Sequence, residues 1–233
     1  TLNKYQLNVN AFVPYFSYDG KAFTNTDLQA NGNQDTLFAK FDVEDIALND
    51  SLHFPETTLQ LAANNDLSRI NLKTSSGNIL NDANLNASIE TLNDGVRIHF
   101  FPSTFNLNGK QWRLEEDGEL SIRKNYIDAN KVQFVNNDQE IVISSELDDI
   151  TDDIHLVAAL KNVIIQDFLP FWLTNPSLKG KLTGEVKLKD YFDKQNITFT
   201  GTADSLSLDD RYIGKTNLEG LVNTSTGKID YKI

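Results

Sequence analysis

The chain has 233 residues, 39% of them hydrophobic and 23% charged, which is enough apolar material for a core and too much for a disordered or fibrous protein. A formal net charge of -12 lacks the Lys and Arg clusters that phosphate backbones require, which excludes nucleic acid as a partner. The absence of cysteine removes disulfides, thiolate nucleophiles and Cys-bound zinc together, and no run of 18 apolar residues offers a membrane-spanning helix.

Apolar residues fall on every second position for about five residues and then break at Asn, Asp or Gly. The first instance is Tyr5, Leu7, Val9, Ala11 and Val13. Such alternation marks a strand with one dry and one wet face. A looser segment from Phe16 to Thr36, rich in Asn, Gly and Asp, reads as a long loop. Strands are then predicted at Leu37 to Val43, Leu59 to Ala63, Ile70 to Leu72, Leu85 to Ile89, Val96 to Phe100, Phe105 to Leu107, Trp112 to Leu114, Leu120 to Ile122, Ile127 to Ala129, Val132 to Phe134, Ile141 to Ile143 and Ile154 to Leu160. Asp94-Gly95, Asn108-Gly109 and Asp117-Gly118 supply the left-handed conformations of tight hairpins, so neighbouring strands are expected to pair as a meander. From Gln166 to Leu173 bulky residues run consecutively, with Asp167 near the start and Pro170 in the first turn, and a short helix is predicted. The alternation resumes at Leu178 to Leu188, Ile197 to Ala203, Leu206 to Leu208, Leu218 to Val222 and Ile229 to Ile233. The abrupt end on an alternating strand suggests a segment of a longer protein.

Catalytic chemistry finds no motif. His53, His99 and His155 are far apart in sequence and none has metal-ligand spacing, while no nucleophile elbow, phosphate loop or dinucleotide fingerprint occurs. His99 alternates with Ile98 and Phe100 and is expected to face solvent. The acidic run Asp148-Asp149-Ile150-Thr151-Asp152-Asp153 lacks the spacing of a calcium loop and reads as a solvated turn. Glycosylation-like triplets begin at Asn86, Asn196 and Asn223, a pattern that an Asn-rich chain produces by chance. The expectation is a non-enzyme without cofactor or metal. Strands dry on one side must pair sheets, close a barrel or line a groove, and composition alone favours the closed β-sandwich.

Phe105-Asn106-Leu107-Asn108-Gly109-Lys110-Gln111-Trp112-Arg113-Leu114, then Gly118, Leu120 and Ile122, Val132 to Phe134, and Asn137-Asp138-Gln139-Glu140-Ile141-Val142-Ile143-Ser144 together resemble the repeat of TamB-like (translocation and assembly module) proteins of the AsmA-like superfamily, Bacteroidota type. Leu169-Pro170, Leu178 to Val186 with Gly180 and Gly184, Ile197 to Leu208 and Tyr212-Ile213-Gly214 look like the continuation. The resemblance covers roughly residues 100 to 233, with the first hundred sharing only the texture, and residues 1–233 are taken as a single segment of a longer protein. It implies a periplasmic protein whose parent is anchored in the inner membrane, with a β-taco fold: an elongated antiparallel sheet folded into an open hydrophobic groove. It also implies a role in phospholipid transport to the outer membrane and, with outer-membrane β-barrel partners, in outer-membrane protein assembly. Any membrane contact would be made by parts outside this chain.

On that reading the residues expected to line the groove are Leu85, Ala87, Ile89, Ile98, Phe100, Leu120, Ile122, Val132, Phe134, Ile141, Ile143, Leu156, Leu182, Val186, Leu188 and Phe199. Five-residue ribs of ~3.3 Å per residue would span about 17 Å, near the length of one acyl tail in a ~30 Å hydrocarbon core. Two alternatives stand beside it: a chaperone-like scaffold pairing its edge with strands of nascent barrels, and an extracellular β-sandwich that binds carbohydrate or acts as an adhesin. An exposed row of aromatics would favour carbohydrate, and Trp112 and Trp172 stand alone in the sequence.

Overall fold

The computed structural model describes residues 6–48, 53–76, 80–115, 118–147, 154–168, 177–189, 196–223 and 228–232. The protein is all-β and antiparallel, with one four-residue helix among the described residues. It forms two compact units, Thr1–Glu116 and Asp117–Ile233.

The first unit is a meander of β1 (Leu7–Tyr18), β2 (Lys21–Gly32), β3 (Thr36–Ala47), β4 (His53–Asn64), β5 (Leu67–Ser76), β6 (Leu80–Leu92), β7 (Gly95–Leu107) and β8 (Lys110–Leu114). Each strand pairs antiparallel with the next. The second unit holds β9 (Glu119–Arg123), β10 (Ile127–Asn130), β11 (Val132–Asn136), β12 (Gln139–Leu147), β13 (Ile154–Ile164), α1 (Ile165–Phe168), β14 (Leu178–Lys189), β15 (Asn196–Leu208), β16 (Arg211–Asn223) and β17 (Lys228–Lys232). There β9 pairs with β10, and β11 through β17 form a second antiparallel meander.

The loop expected over Phe16 to Thr36 is instead the end of β1, a tight turn and β2. Asp19 and Gly20 take φ of 49° and 73°, the left-handed pair of a two-residue hairpin; Asp27 and Asn31 are wet-face positions of β2, and Asn33 and Asp35 belong to the turn into β3. Asn108-Gly109 turns as expected, with φ of 50° and 75°. Gly95 opens β7, and its turn falls on Asn93 and Asp94. Asp117, the acidic run 148–153 and the bulky residues 169–173 lie outside the described residues, so the predicted helix is seen only over Ile165–Phe168.

Strands are also longer than the five-residue ribs. The predicted pieces Val96 to Phe100 and Phe105 to Leu107 are one strand, β7, and Ile197 to Ala203 and Leu206 to Leu208 are both β15. A strand of 12 residues such as β3 extends about 40 Å. What looked like breaks between pieces are irregularities inside continuous strands. In the first unit Asn25, Glu56 and Asp82 have φ of 47°, 52° and 49°, inside β2, β4 and β6. The β1–β2, β2–β3 and β3–β4 ladders each skip one pair at that level, at Pro14, Asn25, Glu44 and Glu56. In the second unit Asn162, Gly180, Ser205 and Gly214 have φ of 53°, 151°, 55° and 102°, next to register shifts in β13 to β16.

Across the first of these lines the apolar residues change phase: Val9, Ala11 and Val13 give way to Phe16 in β1, Phe41 and Val43 to Ile46 in β3, and Leu59 and Leu61 to Phe54 in β4. An inserted residue bends a strand and shifts its alternation by one, which is what keeping the same face dry requires.

Candidate functional site

Residues directly opposite in an antiparallel ladder share a face. In the first unit the register therefore assembles apolar rows that cross the strands. One runs Val9, Ala30, Ala39, Leu61, Ile70, Ala87, Phe100; the next runs Ala11, Leu28, Phe41, Leu59, Leu72, Leu85; a third contains Leu37, Ala63, Ile89 and Ile98. At ~4.8 Å per strand, seven positions extend about 29 Å. The opposite face carries Asn10, Gln29, Lys40, Gln60, Asn71 and Asn86 in the corresponding row.

The second unit repeats this. Val132, Ile143, Ala158, Val186, Phe199 and Gly220 form one row; Phe134, Ile141, Leu160, Gly184, Gly201 and Leu218 form another; Ser145, Leu156, Leu188 and Ile197 lead a third. Leu182 stands opposite Val163 and Ala203 next to the bulge line. In the β9–β10 hairpin Leu120 opposes Ala129 and Ile122 opposes Ile127. The five candidates of β6 and β7 thus share one face of the first unit. Those of β11 to β15 share one face of the second, and Leu120 and Ile122 share a face of their own hairpin.

Their burial differs from that of a closed core. Of the sixteen residues only Val132 is buried; the other fifteen keep part of their surface in solvent. Among the described residues thirteen hydrophobic side chains are buried, and five of these are alanines. In a closed sandwich the inner-face residues of both sheets would interdigitate and disappear from solvent. Six of the thirteen, Ala30, Ala39, Ala129, Val132, Val163 and Ala203, stand in these rows or opposite their members; the largest buried side chains, Leu107 and fully buried Trp112, lie at the β7–β8 hairpin, where the Trp112 ring lies parallel to Phe105 with centroids 6.4 Å apart. Trp112 is therefore not a surface platform, and Trp172 lies outside the described residues.

Gly184 and Gly201 oppose each other on the dry face, and a Cβ on either would collide with the backbone of the other's strand and, from Gly201, come within 3.0 Å of the Phe199 ring. Glycine at both positions lets the Phe199 ring lie close over the sheet.

The apolar rows named above carry no charged residue, and charged side chains occupy the other face of the same strands. Lys187 Nζ donates to Glu146 Oε2 at 2.9 Å and lies 3.7 Å from Glu185 Oε2; the Glu146 bond raises its pKa above the usual lysine value against the opposing pull of burial. Asp42 is pushed upward by burial, but hydrogen bonds from Lys40 and Thr58 outweigh this and its pKa falls below the usual aspartate value. His99 shares the polar face with Ser88 and is half-buried, packed edge-on against Phe101. His155 is buried, and His53 Nδ1 sits 2.9 Å from Asp45 Oδ2. Among the described residues no group of three or more potential ligands could hold a metal ion, and no helix is long and apolar enough to cross a membrane.

The sequence pattern located the apolar residues but missed the bulge lines that keep them on one face. Their signal was present as the change of apolar phase at Pro14, Asn25, Glu44 and Glu56. The chain matches no protein-family model, no curated protein and no solved structure.

Proposed function

We propose that the dry faces bind acyl chains and that the protein is a non-enzymatic, periplasmic segment of a longer inner-membrane-anchored protein, supporting phospholipid transport between the inner and outer membranes as in TamB-like proteins. One observation carries the reading: apolar rows continue across successive strands while their side chains stay partly open to solvent. Water leaves such a surface when hydrocarbon covers it, at about 25 cal/mol per Å² of apolar area. The burial is non-directional, and the sampled rows carry no Lys or Arg, so selectivity among head groups is expected to be weak. The phospholipid lies in the groove with its tails along the rows, and an outer-membrane β-barrel partner receives it beyond this chain. The test is mass spectrometry of organic extracts of the purified protein, with binding of a fluorescent phosphatidylethanolamine measured in parallel. Recovered phospholipid and saturable binding support the reading; a lipid-free protein that does not bind the probe overturns it.

A second reading, strand pairing with nascent barrel proteins, is favoured by β1. That strand contains no charged residue, and Phe12, Tyr15 and Tyr18 are exposed at 57%, 62% and 75%. Uncharged exposed strands are templates for pairing. Crosslinking from Tyr15 to unfolded barrel substrate, but not to lipid, would select it.

A further inference from the structure

The polar face of the first unit contains an assembly that the dry-face reading leaves unused. Along β5, Arg69, Asn71 and Lys73 alternate with the apolar Ile70 and Leu72 and so point away from them. Among the described residues neither Arg69 nor Lys73 has an ion-pair partner, in a chain whose net charge is -12. Around them the amides are locked in orientation. Asn71 Nδ2 donates to Asn84 Oδ1 at 2.7 Å and to Asn86 Oδ1 at 2.8 Å, and Asn86 Nδ2 donates to the Pro102 carbonyl at 3.3 Å.

This amide floor lies in an open depression of about 250 Å³ whose lining includes Phe38, Gln60, Arg69 and Phe101. A second depression of about 480 Å³ shares Phe38 and Arg69 and continues toward the β2–β3 and β4–β5 turns. Phe38 is 43% exposed, and Phe101 is held by the edge of His99 with ring centroids 5.2 Å apart. Phe38 belongs to β3 and Phe101 to β7, so four strand spacings of ~4.8 Å separate their backbones by about 19 Å.

We propose that this face binds a short oligosaccharide carrying a carboxylate. Aromatic rings at both ends offer flat apolar faces for the C–H faces of pyranose rings. Fixed amides and Gln60 between them match hydroxyl groups that both donate and accept. Arg69 supplies a planar fork that a carboxylate fills with two parallel hydrogen bonds, and Lys73, four residues further along the same strand, adds a point charge beyond the depression. Two isolated cations are too few for a nucleic-acid backbone. The site is on the face opposite the apolar rows, so it operates whether or not those rows bind lipid.

The experiment is screening of the intact chain on an array of neutral and carboxylated oligosaccharides, followed by calorimetric titration with tri-galacturonate, cellotriose and inorganic phosphate. Binding to carboxylated glycans, at least tenfold weaker for Arg69→Ala and partly restored in Arg69→Lys, is the expected result. Phe101→Ala should weaken binding several-fold, and Thr200→Arg in the second unit should leave it unchanged. No carboxylated glycan above background, binding indifferent to Arg69→Ala in a variant whose circular dichroism is unaltered, or phosphate bound as tightly as tri-galacturonate would each overturn the proposal.

Discussion

Replacing Val186 by Arg separates an open acyl-binding face from a closed core. Val186 is half-buried and stands between Ala158 and Phe199 in a row of the second unit. In an unfilled groove the guanidinium reaches water by leaning out of the row. Folding then loses only part of the 1.5–3 kcal/mol that full burial of a valine is worth, about 1 kcal/mol. In a groove filled with hydrocarbon the same charge has no such exit. An arginine at the middle of a hydrocarbon layer costs about 2.5–3.5 kcal/mol by insertion measurements, equivalent to a roughly 70- to 400-fold loss of affinity. Binding of fluorescent phosphatidylethanolamine, with thermal unfolding followed on the same samples, reads both quantities. Thr200→Arg is the control, since Thr200 lies on the charged face between Glu185 and Glu219 and an arginine there meets two carboxylates. The reasoning fails if Val186→Arg abolishes folding, which would place Val186 in a closed core. It fails equally if the variant folds and binds lipid like the parent.

Gly201→Val should destabilise the second unit by about 1–3 kcal/mol or more, because its Cβ has only the Gly184 strand backbone and Phe199 to displace; chemical denaturation measures it. At Glu56, where φ is 52°, Gly should fold at least as stably as Glu, whereas Val should lower stability by about 1–2 kcal/mol, read as a shifted denaturation midpoint. The depressed Asp42 pKa means that its contribution is present above the unfolded value near 4 and is lost as pH falls through the lower folded value, so Asp42→Asn should flatten the acid limb of melting temperature against pH. Lys187 has the opposite sign: its contribution is present below about 10.4 and is lost as pH rises through its raised folded pKa, so Lys187→Gln should flatten the alkaline limb. Phe12→Lys with Tyr15→Lys should reduce concentration-dependent association in sedimentation velocity; unchanged association would mean that β1 is not the contact.

Alternation with period two is a local property, and it was sufficient to identify an all-β chain and to select Leu85, Ala87, Ile89, Ile98 and Phe100 as residues of one face. Each of these requires only that its neighbours in sequence point the other way. Asn108-Gly109 was legible for the same reason, since a left-handed pair is written into two adjacent residues. Strand length was not local. The polar residues between Phe16 and Thr36 read as a loop because their hydrogen-bonding partners lie in β1 and β3, and nothing within the segment states that those ladders will form. The bulges at Asn25, Asn162 and Ser205 likewise belong to several strands at once: a lone change of apolar phase looks like the end of a strand, and only its alignment with phase changes in the neighbours makes it a bend in a continuous sheet. The depression between Phe38 and Phe101 depended on register altogether. Sixty-three positions separate the two rings in sequence, and five paired strands set them into one surface with Arg69 between them.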